Sequence, residues 1–355
     1  MTTTKNPNKI IDLRSDTVTK PSQEMRQAMF EAECGDDVYG EDPTVNKLEK
    51  KMAKLTNKED ALFVTSGTMG NLISLLVHCQ PGQEAIVGSQ SHISLHEQSG
   101  ASALGGIRLK TLENQSDGKL DLNDIEQAIN PNNIHFSESK LICLENTWSG
   151  NPLELDYMHR VKEIAIKHNL KMHLDGARLF NASLALDEPI DKLAKPFDSI
   201  SLCFSKGLGC PVGSIICGDK DFIYKARRKR KVLGGGMRQA GILASACLYA
   251  LDNMVGRLLS DHGCAAKLAQ GLEKISGIDV IKTKLRTNMV FFKVVLPGIT
   301  TDSFIDKLAK NNLLVLSEHN NLIRAVTHYG IESHDIDKAI EIIHRVINSI
   351  TLLKV

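Results

Sequence analysis

Short apolar runs alternate with longer amphipathic segments along the first 220 residues of the chain. The apolar runs are followed by serine, glycine or an acidic residue, which is typical of buried strands that end in turns. The strands predicted in this way are 61–65, 85–87, 141–144, 173–175, 199–204 and 214–217. Strands that alternate with helices predict an α/β fold with a mostly parallel sheet, helices on both faces and a ligand site at the carboxyl ends of the strands.

Apolar positions that recur with a period near 3.6 predict the helices. The helical segments are 22–33, 44–54, 156–168 and 242–259, with further helices that follow the turn at 66–71 and begin at Phe222. Beyond about residue 250 the chain predicts a smaller α/β unit. Its elements are strands at 288–294, 313–316 and 321–326 and helices from Asp302 and His334. We therefore predict an N-terminal arm over 1–20, a large domain over 21–250 and a small C-terminal domain over 251–355.

The composition is that of an ordinary globular protein. At 355 residues the chain is long enough for a large core and for two domains. The net charge of +1 favours neither nucleic acid nor a membrane surface as a partner. No run approaches the roughly 20 apolar residues that span a bilayer, and residues 1–7 lack the apolar core of a signal peptide. Eight scattered cysteines without a Cys-x-x-Cys pair predict reduced thiols in a cytoplasmic protein.

A basic segment at 225–231 is the feature that most suggests nucleic acid. In a chain of nearly neutral charge, such a run is more typical of a solvated helix face. A nucleic-acid binder would instead bind its partner in a salt-sensitive manner. We therefore predict a solvated face here and no nucleic-acid partner.

Lys206 lies where the apolar run 199–204 ends and a turn rich in glycine and proline begins. Glycines let the backbone of this turn come close to a ligand. A lysine removed from water has a lowered pKa and is a nucleophile toward carbonyl groups. The simpler alternative is a solvated turn lysine, so the case for chemistry depends on a second residue.

Asp175 provides that second residue, because it ends the run 171–175 just before a glycine turn. On its own it would be interpreted as a helix cap or a turn residue. Together with Lys206 it matches the needs of pyridoxal phosphate, whose aldehyde requires an amine and whose ring nitrogen requires a carboxylate. The two residues therefore predict a pyridoxal phosphate site.

Two further segments fit the same site. The segment 66–71 joins a strand to a helix through small polar residues, a geometry that offers backbone N–H groups to a phosphate. His92 follows another strand and either lies flat on the cofactor ring or is a polar residue at a helix start with no special role. His92 and His96 have the i, i+4 spacing of a metal pair, but no further ligand completes the set and we predict no metal.

Two residues in loops are left with two interpretations each, and a third lies in an accessible segment. Trp148 lies in a turn after a strand and is either a loop anchor or a wall of the substrate pocket. Tyr39, in the acidic loop 35–43, is either an anchor of that loop or a functional residue. Arg238 follows a glycine run and lies at an accessible point of the chain.

Six motifs in a fixed order extend these clues over nearly the whole chain. They are 11–19, 35–43, 66–71, 173–178, 205–208 and 234–241. In these motifs the chain resembles the low-specificity L-threonine aldolases, which are pyridoxal-phosphate enzymes of the aspartate-aminotransferase-like fold type I. The resemblance implies a large domain with a seven-stranded sheet, a small C-terminal domain, and a homotetramer of two dimers with shared active sites. It also implies retro-aldol cleavage of L-threonine and L-allo-threonine to glycine and acetaldehyde.

The resemblance implies a role for each residue that would hold the cofactor. Lys206 would form the Schiff base, Asp175 would pair with the ring nitrogen, and His92 would stack on the ring. Arg238 of a neighbouring subunit would lie near the phosphate, and Arg178 would also contact the cofactor. The residues that would bind the phosphate are Ser66, Gly67 and Thr68.

The resemblance implies substrate contacts as well. Ser15, Arg178 and Arg324 would bind the carboxylate of the amino acid, and Tyr39 would reach the site of the partner subunit. Trp148 departs from the family, which has histidine at this position. We therefore hypothesise an altered preference at the β-carbon or a larger substrate side chain, such as that of phenylserine.

The general base and two competing functions stay open. The base is a choice among His92, a water near the cofactor phosphate, and His96 or Glu97. A β-eliminating lyase would share Lys206 and Asp175 but would release pyruvate and ammonia. A pyridoxal-binding regulator without catalysis is disfavoured, because a sensor has no need of residues that bind an amino-acid carboxylate.

Overall fold

The computed structural model describes residues 9–352. Residues 1–8, which include the start of the predicted arm, and residues 353–355 lie outside the described part. The described chain forms two compact units, which we call the larger unit (residues 20–255) and the smaller unit (residues 9–19 with 256–352). The three-part division at residues 20 and 250 stays a prediction.

The strands of the described chain are numbered in chain order. They are β1 Ile11–Asp12, β2 Asp60–Val64, β3 Glu84–Gly88, β4 Arg108–Leu112, β5 Ser139–Glu145, β6 Lys171–Gly176, β7 Ser199–Cys203, β8 Ser214–Gly218, β9 Ile278–Val280, β10 Met289–Val294, β11 Leu313–Leu314, β12 Leu316–Glu318 and β13 Leu322–Val326. Strands β2 to β8 belong to the larger unit and the others to the smaller unit.

The helices are numbered in the same way. They are α1 Gln23–Phe30, α2 Pro43–Thr56, α3 Gly67–His78, α4 His92–Leu95, α5 Gly100–Gly105, α6 Leu122–Ala128, α7 Leu155–Lys167, α8 Leu179–Leu186, α9 Ile190–Ala194, α10 Lys220–Val232, α11 Gly241–Asn253, α12 Leu258–Leu272, α13 Thr301–Lys310 and α14 Ser333–Leu352. Short 3-10 turns lie at Asp16–Val18, Asp37–Tyr39 and His319–Asn321.

The larger unit is built on one seven-stranded sheet in the order β2-β8-β7-β6-β5-β3-β4. Strands β7, β6, β5, β3 and β4 run parallel, whereas β8 is antiparallel to both of its neighbours. The central strands are apolar along most of their length because helices cover both faces. The predicted α/β fold with a mostly parallel seven-stranded sheet is confirmed.

The register of the sheet brings particular residues to its carboxyl edge. Glu145 of β5 is paired with Asp175 of β6, and Asp175 is paired with Ser201 of β7. Residues at the same level of adjacent parallel strands point to the same face. Their side chains therefore form one row at the end of the sheet where β7 leads into the Lys206 turn.

Two features of the larger unit differ from the sequence prediction. Strand β4 was missed because its residues, Arg-Leu-Lys-Thr-Leu, are partly exposed at the sheet edge and carry no continuous apolar run. The basic segment 225–231 is only in part a solvated face. Arg230 of α10 is 2% exposed, and its guanidinium contacts Asp37 at 2.7 Å.

The single helix predicted over 242–259 is wrong. Helix α11 ends at Asn253 and α12 begins at Leu258. The break contains Gly256, a residue of low helix propensity. Among the described residues, no helix by itself has the length and apolar character to cross a membrane, and α11 and α12 meet that test only as an interrupted pair.

The smaller unit has an antiparallel sheet in the order β12-β13-β10-β9, and β1 pairs in parallel with β11. The strand predicted over 313–316 is divided between β11 and β12. The core lies between this sheet and the apolar faces of α12, α13 and α14, and it includes Phe292, Phe304 and Ile336. This unit carries Ser15 and Arg324.

Candidate functional site

Lys206 lies in a tight turn directly after β7. Phe204 N–H donates to the carbonyl of Gly213, and Gly209 N–H donates to the carbonyl of Lys206 itself. Gly209 has a φ of 76°, a backbone conformation that residues other than glycine rarely adopt. The turn therefore holds a half-buried lysine at the carboxyl edge of the sheet, as the sequence predicted.

Asp175 is 3% exposed at the end of β6. Its Oδ1 accepts a hydrogen bond from the N–H of Ala177 at 3.0 Å, and its Oδ2 accepts one from Asn71 Nδ2 at 2.7 Å. Donors of this kind stabilise the ionised form of a carboxylate. The arrangement suits a carboxylate that must stay charged opposite a protonated ring nitrogen.

His92 begins the short helix α4 and is held on two sides. Its N–H donates to Glu145 Oε2 at 2.7 Å, and its Nδ1 lies 2.8 Å from Glu97 Oε1. The hydrogen bond to Glu97 raises the pKa of His92, with smaller contributions from nearby carboxylates. The ring of His96 lies 5.5 Å away in a tilted orientation.

Three carboxyl groups gather around these residues. Asn71 Nδ2 donates to Glu97 as well as to Asp175, and Glu145 lies beside Asp175 in the register of the sheet. Burial raises the pKa of Glu97, and burial together with the charge of Asp175 raises that of Glu145 to about 7. A row of acids of this kind is a favourable environment for a cation such as a lysine ammonium or a protonated pyridine.

The turn before α3 has the form of a phosphate cradle. Ser66 caps the helix, since its hydroxyl accepts from Met69 N–H at 3.2 Å and its carbonyl accepts from Gly70 N–H at 3.0 Å. The N–H groups of Gly67 and Thr68 precede these bonds and have no partner within the helix. A Cβ on Gly67 would lie 2.6 Å from Cys203 Sγ, so only glycine lets this turn approach the end of β7.

These residues fit pyridoxal phosphate. The helix start that would hold the phosphate follows β2, and the lysine that would hold the aldehyde follows β7. The buried carboxylate of Asp175 ends β6, which lies between β7 and β5 in the sheet. The fit has support from two buried hydroxyls at the same edge, those of Ser201 and Thr147, which have no hydrogen-bond partner among the described residues. Such groups are typical of sites that bind a polar ligand.

A metal ion suits the same residues less well. One ligand atom each of His92, Glu97 and Asp175 lies within 4.8 Å of the others, a spacing that a cation would allow. However, Asn71 Nδ2 donates to both carboxylates, and the partial positive charge of its N–H groups would repel a cation bound beside them.

Trp148 is fixed by its own surroundings. Its indole Nε1 donates to the carbonyl of Gln90 at 3.2 Å, and its backbone pairs with that of Asn151. Gly118 packs so closely that a Cβ there would lie 2.7 Å from Trp148 Cβ. These contacts support the loop-anchor interpretation, while contact with a substrate stays a prediction.

Tyr39 and Arg238 lie together on the surface of the larger unit. The Arg238 guanidinium lies 5.7 Å from the centre of the Tyr39 ring and 2.8 Å from Asp36 Oδ2. Tyr39 is 73% exposed and the Arg238 side chain 50% exposed. The tyrosine ring is therefore available for contact with another molecule.

The remaining predicted residues are found in both units. Arg178 follows β6 by two residues and is half-buried at the start of α8. In the smaller unit, Ser15 caps a 3-10 turn by accepting from Thr17 N–H at 3.2 Å. Arg324 Nη2 donates to the carbonyl of Arg14 at 3.3 Å, which brings Arg324 close to Ser15.

Sequence reasoning missed three residues of this site. Asn71 was noted only as part of the 66–71 turn, and Glu145, directly after the predicted strand 141–144, was not singled out. His173, whose Nε2 contacts Asn71 Oδ1 at 3.1 Å, was noted only as a strand residue. The position of Glu145 at a strand end was an available signal, whereas no local pattern marks the other two.

Comparison with known proteins gives consistent matches. The family model for beta-eliminating lyases matches residues 12–295. Low-specificity L-threonine aldolase 1 of Arabidopsis thaliana is 47% identical over 333 residues, which cover 92% of this chain and 93% of that protein. The low specificity L-threonine aldolase of Escherichia coli is 44% identical, covering 91% and 95% of the two chains. A threonine aldolase structure from Leishmania major matches the fold with a TM-score of 0.81 at 24% identity, covering 95% of this chain and 99% of that one.

Proposed function

Because the chain belongs to the beta-eliminating lyase family and to the low-specificity L-threonine aldolases, we propose that it cleaves L-threonine and L-allo-threonine to glycine and acetaldehyde. Pyridoxal 5′-phosphate is its cofactor. The observation that carries the proposal is the cluster of His92, Glu97 and Asp175 at the sheet edge where the Lys206 turn begins.

Bound pyridoxal phosphate supplies an electron-poor ring that accepts the electron pair of a broken Cα bond. Lys206 would hold the aldehyde carbon as a Schiff base, and Ser66, Gly67 and Thr68 would hold the phosphate. Asp175, which accepts hydrogen bonds from Ala177 N–H and the Asn71 amide, would pair with the ring nitrogen. Fixed donors and charges of this kind need no rearrangement during the reaction, which is why they lower its barrier.

His92 would lie on the cofactor ring, with its orientation set by Glu145 and Glu97. Loss of the β-hydroxyl proton also needs a base. His92, His96 and Glu97 are the side chains that we propose for this step, alongside a water near the phosphate. Arg178 is proposed to bind the substrate carboxylate, and the same role stays a prediction for Ser15 and Arg324.

We also propose a homotetramer of two dimers with shared active sites. Support comes from Tyr39 and Arg238, which form an exposed pair in which neither side chain is buried by its own chain. In the proposed dimer Tyr39 would reach the partner's site and Arg238 would lie near the partner's cofactor phosphate.

A cytoplasmic location is part of the proposal. Seven of the eight cysteines are buried as free thiols and one, Cys34, is exposed. Free thiols in such numbers are typical of a reducing compartment.

Product analysis tests the proposed reaction. The loaded protein should release glycine and acetaldehyde from both threonine isomers, whereas a β-eliminating lyase would release pyruvate and ammonia. Lys206→Ala should lose the cleavage and the covalent cofactor, and borohydride reduction of the wild type should mark the peptide that contains Lys206. Lys225→Ala, at an exposed lysine of α10, is the matched control and should keep full activity. Release of pyruvate, or full activity of Lys206→Ala, would contradict the proposal.

A further inference from the structure

A chain of hydrogen bonds runs from Asp175 into the interior of the larger unit. Asn71 Nδ2 contacts Asp175 Oδ2 at 2.7 Å, and Asn71 Oδ1 contacts His173 Nε2 at 3.1 Å. His173 Nδ1 lies 2.8 Å from Ser199 Oγ, which lies 2.8 Å from His78 Nε2. The members between the two ends, Asn71, His173 and Ser199, are each no more than 1% exposed. A chain of this length in a core requires every donor to meet an acceptor.

The direction of donation along this series of hydrogen bonds follows from the carboxylates at one end. Ionised carboxylates only accept hydrogen bonds, so the Asn71 atom that contacts both Asp175 and Glu97 is the amide nitrogen. The amide oxygen of Asn71 therefore faces His173. This oxygen can only accept, so the proton of the imidazole lies on His173 Nε2.

The other half of the chain then has one arrangement. His173 Nδ1 carries a lone pair and accepts from the hydroxyl of Ser199, whose oxygen in turn accepts from His78 Nε2–H. The opposite tautomer of His173 would bring the lone pair of Nε2 against Asn71 Oδ1 at 3.1 Å, which is repulsive. All the donors therefore point toward Asp175 and Glu97.

Both histidines are held neutral by their surroundings, as this arrangement requires. Burial lowers the pKa of His173 to about 4 and that of His78 to about 3. His78 also stacks on Phe222, with ring centres 4.9 Å apart. Neutral imidazoles whose tautomer is fixed transmit one direction of hydrogen-bond donation, and aligned hydrogen bonds polarise one another.

We propose that Asn71, His173 and Ser199 are positioning residues that form a one-way donor relay, which holds the Asp175 carboxylate toward the cofactor ring and aims Glu97 at His92. The relay rests on the proposed function, since it acts through the carboxylate that faces the ring nitrogen. Asn71 is its central member because its amide nitrogen donates hydrogen bonds to both Asp175 and Glu97.

Three variants test the relay. Asn71→Leu keeps the side-chain volume and removes the amide. His173→Phe fills the imidazole space without a donor, whereas His173→Gln returns an N–H at the position of Nε2. Ser74→Ala is the matched control, because Ser74 is a buried residue of the same helix whose hydroxyl bonds only to the carbonyl of Gly70 among the described residues.

The measurements are the dissociation constant of pyridoxal phosphate, the absorption band of the bound cofactor, and the thermal midpoint of the cofactor-free protein. Loss of hydrogen bonds to two carboxylates predicts about ten- to a hundredfold weaker cofactor binding in Asn71→Leu. Loss of the neutral bond between His173 and Asn71 predicts about three- to tenfold weaker binding in His173→Phe. Both should also shift the absorption band toward the form with an unprotonated ring nitrogen. His173→Gln and Ser74→Ala should stay within about threefold of the wild type.

Two results would overturn the relay. One is unchanged cofactor affinity and absorption in a folded Asn71→Leu protein. The other is equal loss in His173→Gln and His173→Phe, which would indicate packing alone. If either His173 variant fails to fold, Ser199→Ala replaces it and should still weaken cofactor binding several-fold. A wild type that binds no pyridoxal phosphate would instead refute the proposed function.

Discussion

Trp148 follows Glu145 by three residues at the carboxyl edge of the sheet and stands where the resemblance has histidine. Its indole is held by the carbonyl of Gln90 and by the close packing of Gly118. A side chain fixed in this way cannot act as an acid or base, because an indole N–H only donates. We therefore propose that other residues of this chain assist the proton transfer that the resemblance assigns to the histidine.

The substitution Trp148→His tests this point. We expect it to change the ratio of kcat/KM for L-threonine to that for L-allo-threonine, because a donor and acceptor would replace the ring that we predict to line the substrate pocket. We also expect lower activity on phenylserine. Trp148→Phe, which keeps an aromatic ring without the N–H, serves as the control. Equal kcat/KM for both threonine isomers in the wild type, unchanged in Trp148→His, would refute the hypothesis.

The basic segment of helix α10 contains both exposed and buried arginines. Arg228 is exposed, whereas Arg230 is buried and donates to Asp37 at 2.7 Å and to the carbonyl of Phe63 at 2.7 Å. Through these bonds α10 ties the loop that carries Tyr39 to the edge strand β2. The segment is therefore structural at its buried positions, which accounts for a cluster of charge without a nucleic-acid role.

Arg230→Met tests how much the buried pair of Arg230 and Asp37 contributes to the stability of the fold. Loss of Arg230 leaves the buried Asp37 carboxylate with Arg227 Nη1, 4.0 Å away, as its remaining arginine neighbour, and we expect the free energy of unfolding to fall by about 3 kcal/mol. Arg228→Met on the exposed face should change it by less than about 0.5 kcal/mol. Urea denaturation of the three proteins gives the comparison. Equal stability of the two variants would show that the buried pair contributes no net stability.

At the scale of the whole molecule, Tyr39 and Arg238 would gain a function in the proposed dimer. Within one chain they contact each other and Asp36 on an exposed surface, and Arg238 accepts a backbone hydrogen bond from Asp37 N–H. An exposed arginine stacked on an exposed tyrosine is typical of the residues that dominate protein interfaces. The proposed dimer would bury this pair beside the partner's cofactor.

Mixing two inactive variants tests the shared site. Lys206→Ala and Arg238→Ala should each have little activity alone, because each removes a group from every site. Random reassembly makes half of the dimers hybrid, and each hybrid has one site with both residues intact. We therefore expect about a quarter of the wild-type activity after unfolding and refolding the mixture. No recovery, with mixed dimers verified by mass spectrometry, would place Arg238 outside the partner's site.

Much of the fold could be predicted from local pattern. Apolar runs are visible in the sequence because strands of a covered parallel sheet are buried on both faces. The prediction failed where burial is incomplete or helicity is interrupted, as in β4 at the sheet edge and at Gly256 between α11 and α12. Hydrophobic periodicity reports burial, and it carries little information where an element is half exposed or where a break is short.

The sequence by itself determined which chemical groups end the strands, since Lys206 and Asp175 both follow apolar runs and such ends meet at one edge of a parallel sheet. Only the tertiary structure decided what surrounds them. Asn71 reaches Asp175 across 104 positions of sequence, and Glu145 stands beside Asp175 because of strand register. Contacts of this kind depend on how a helix packs on a sheet, which no local pattern of residues encodes.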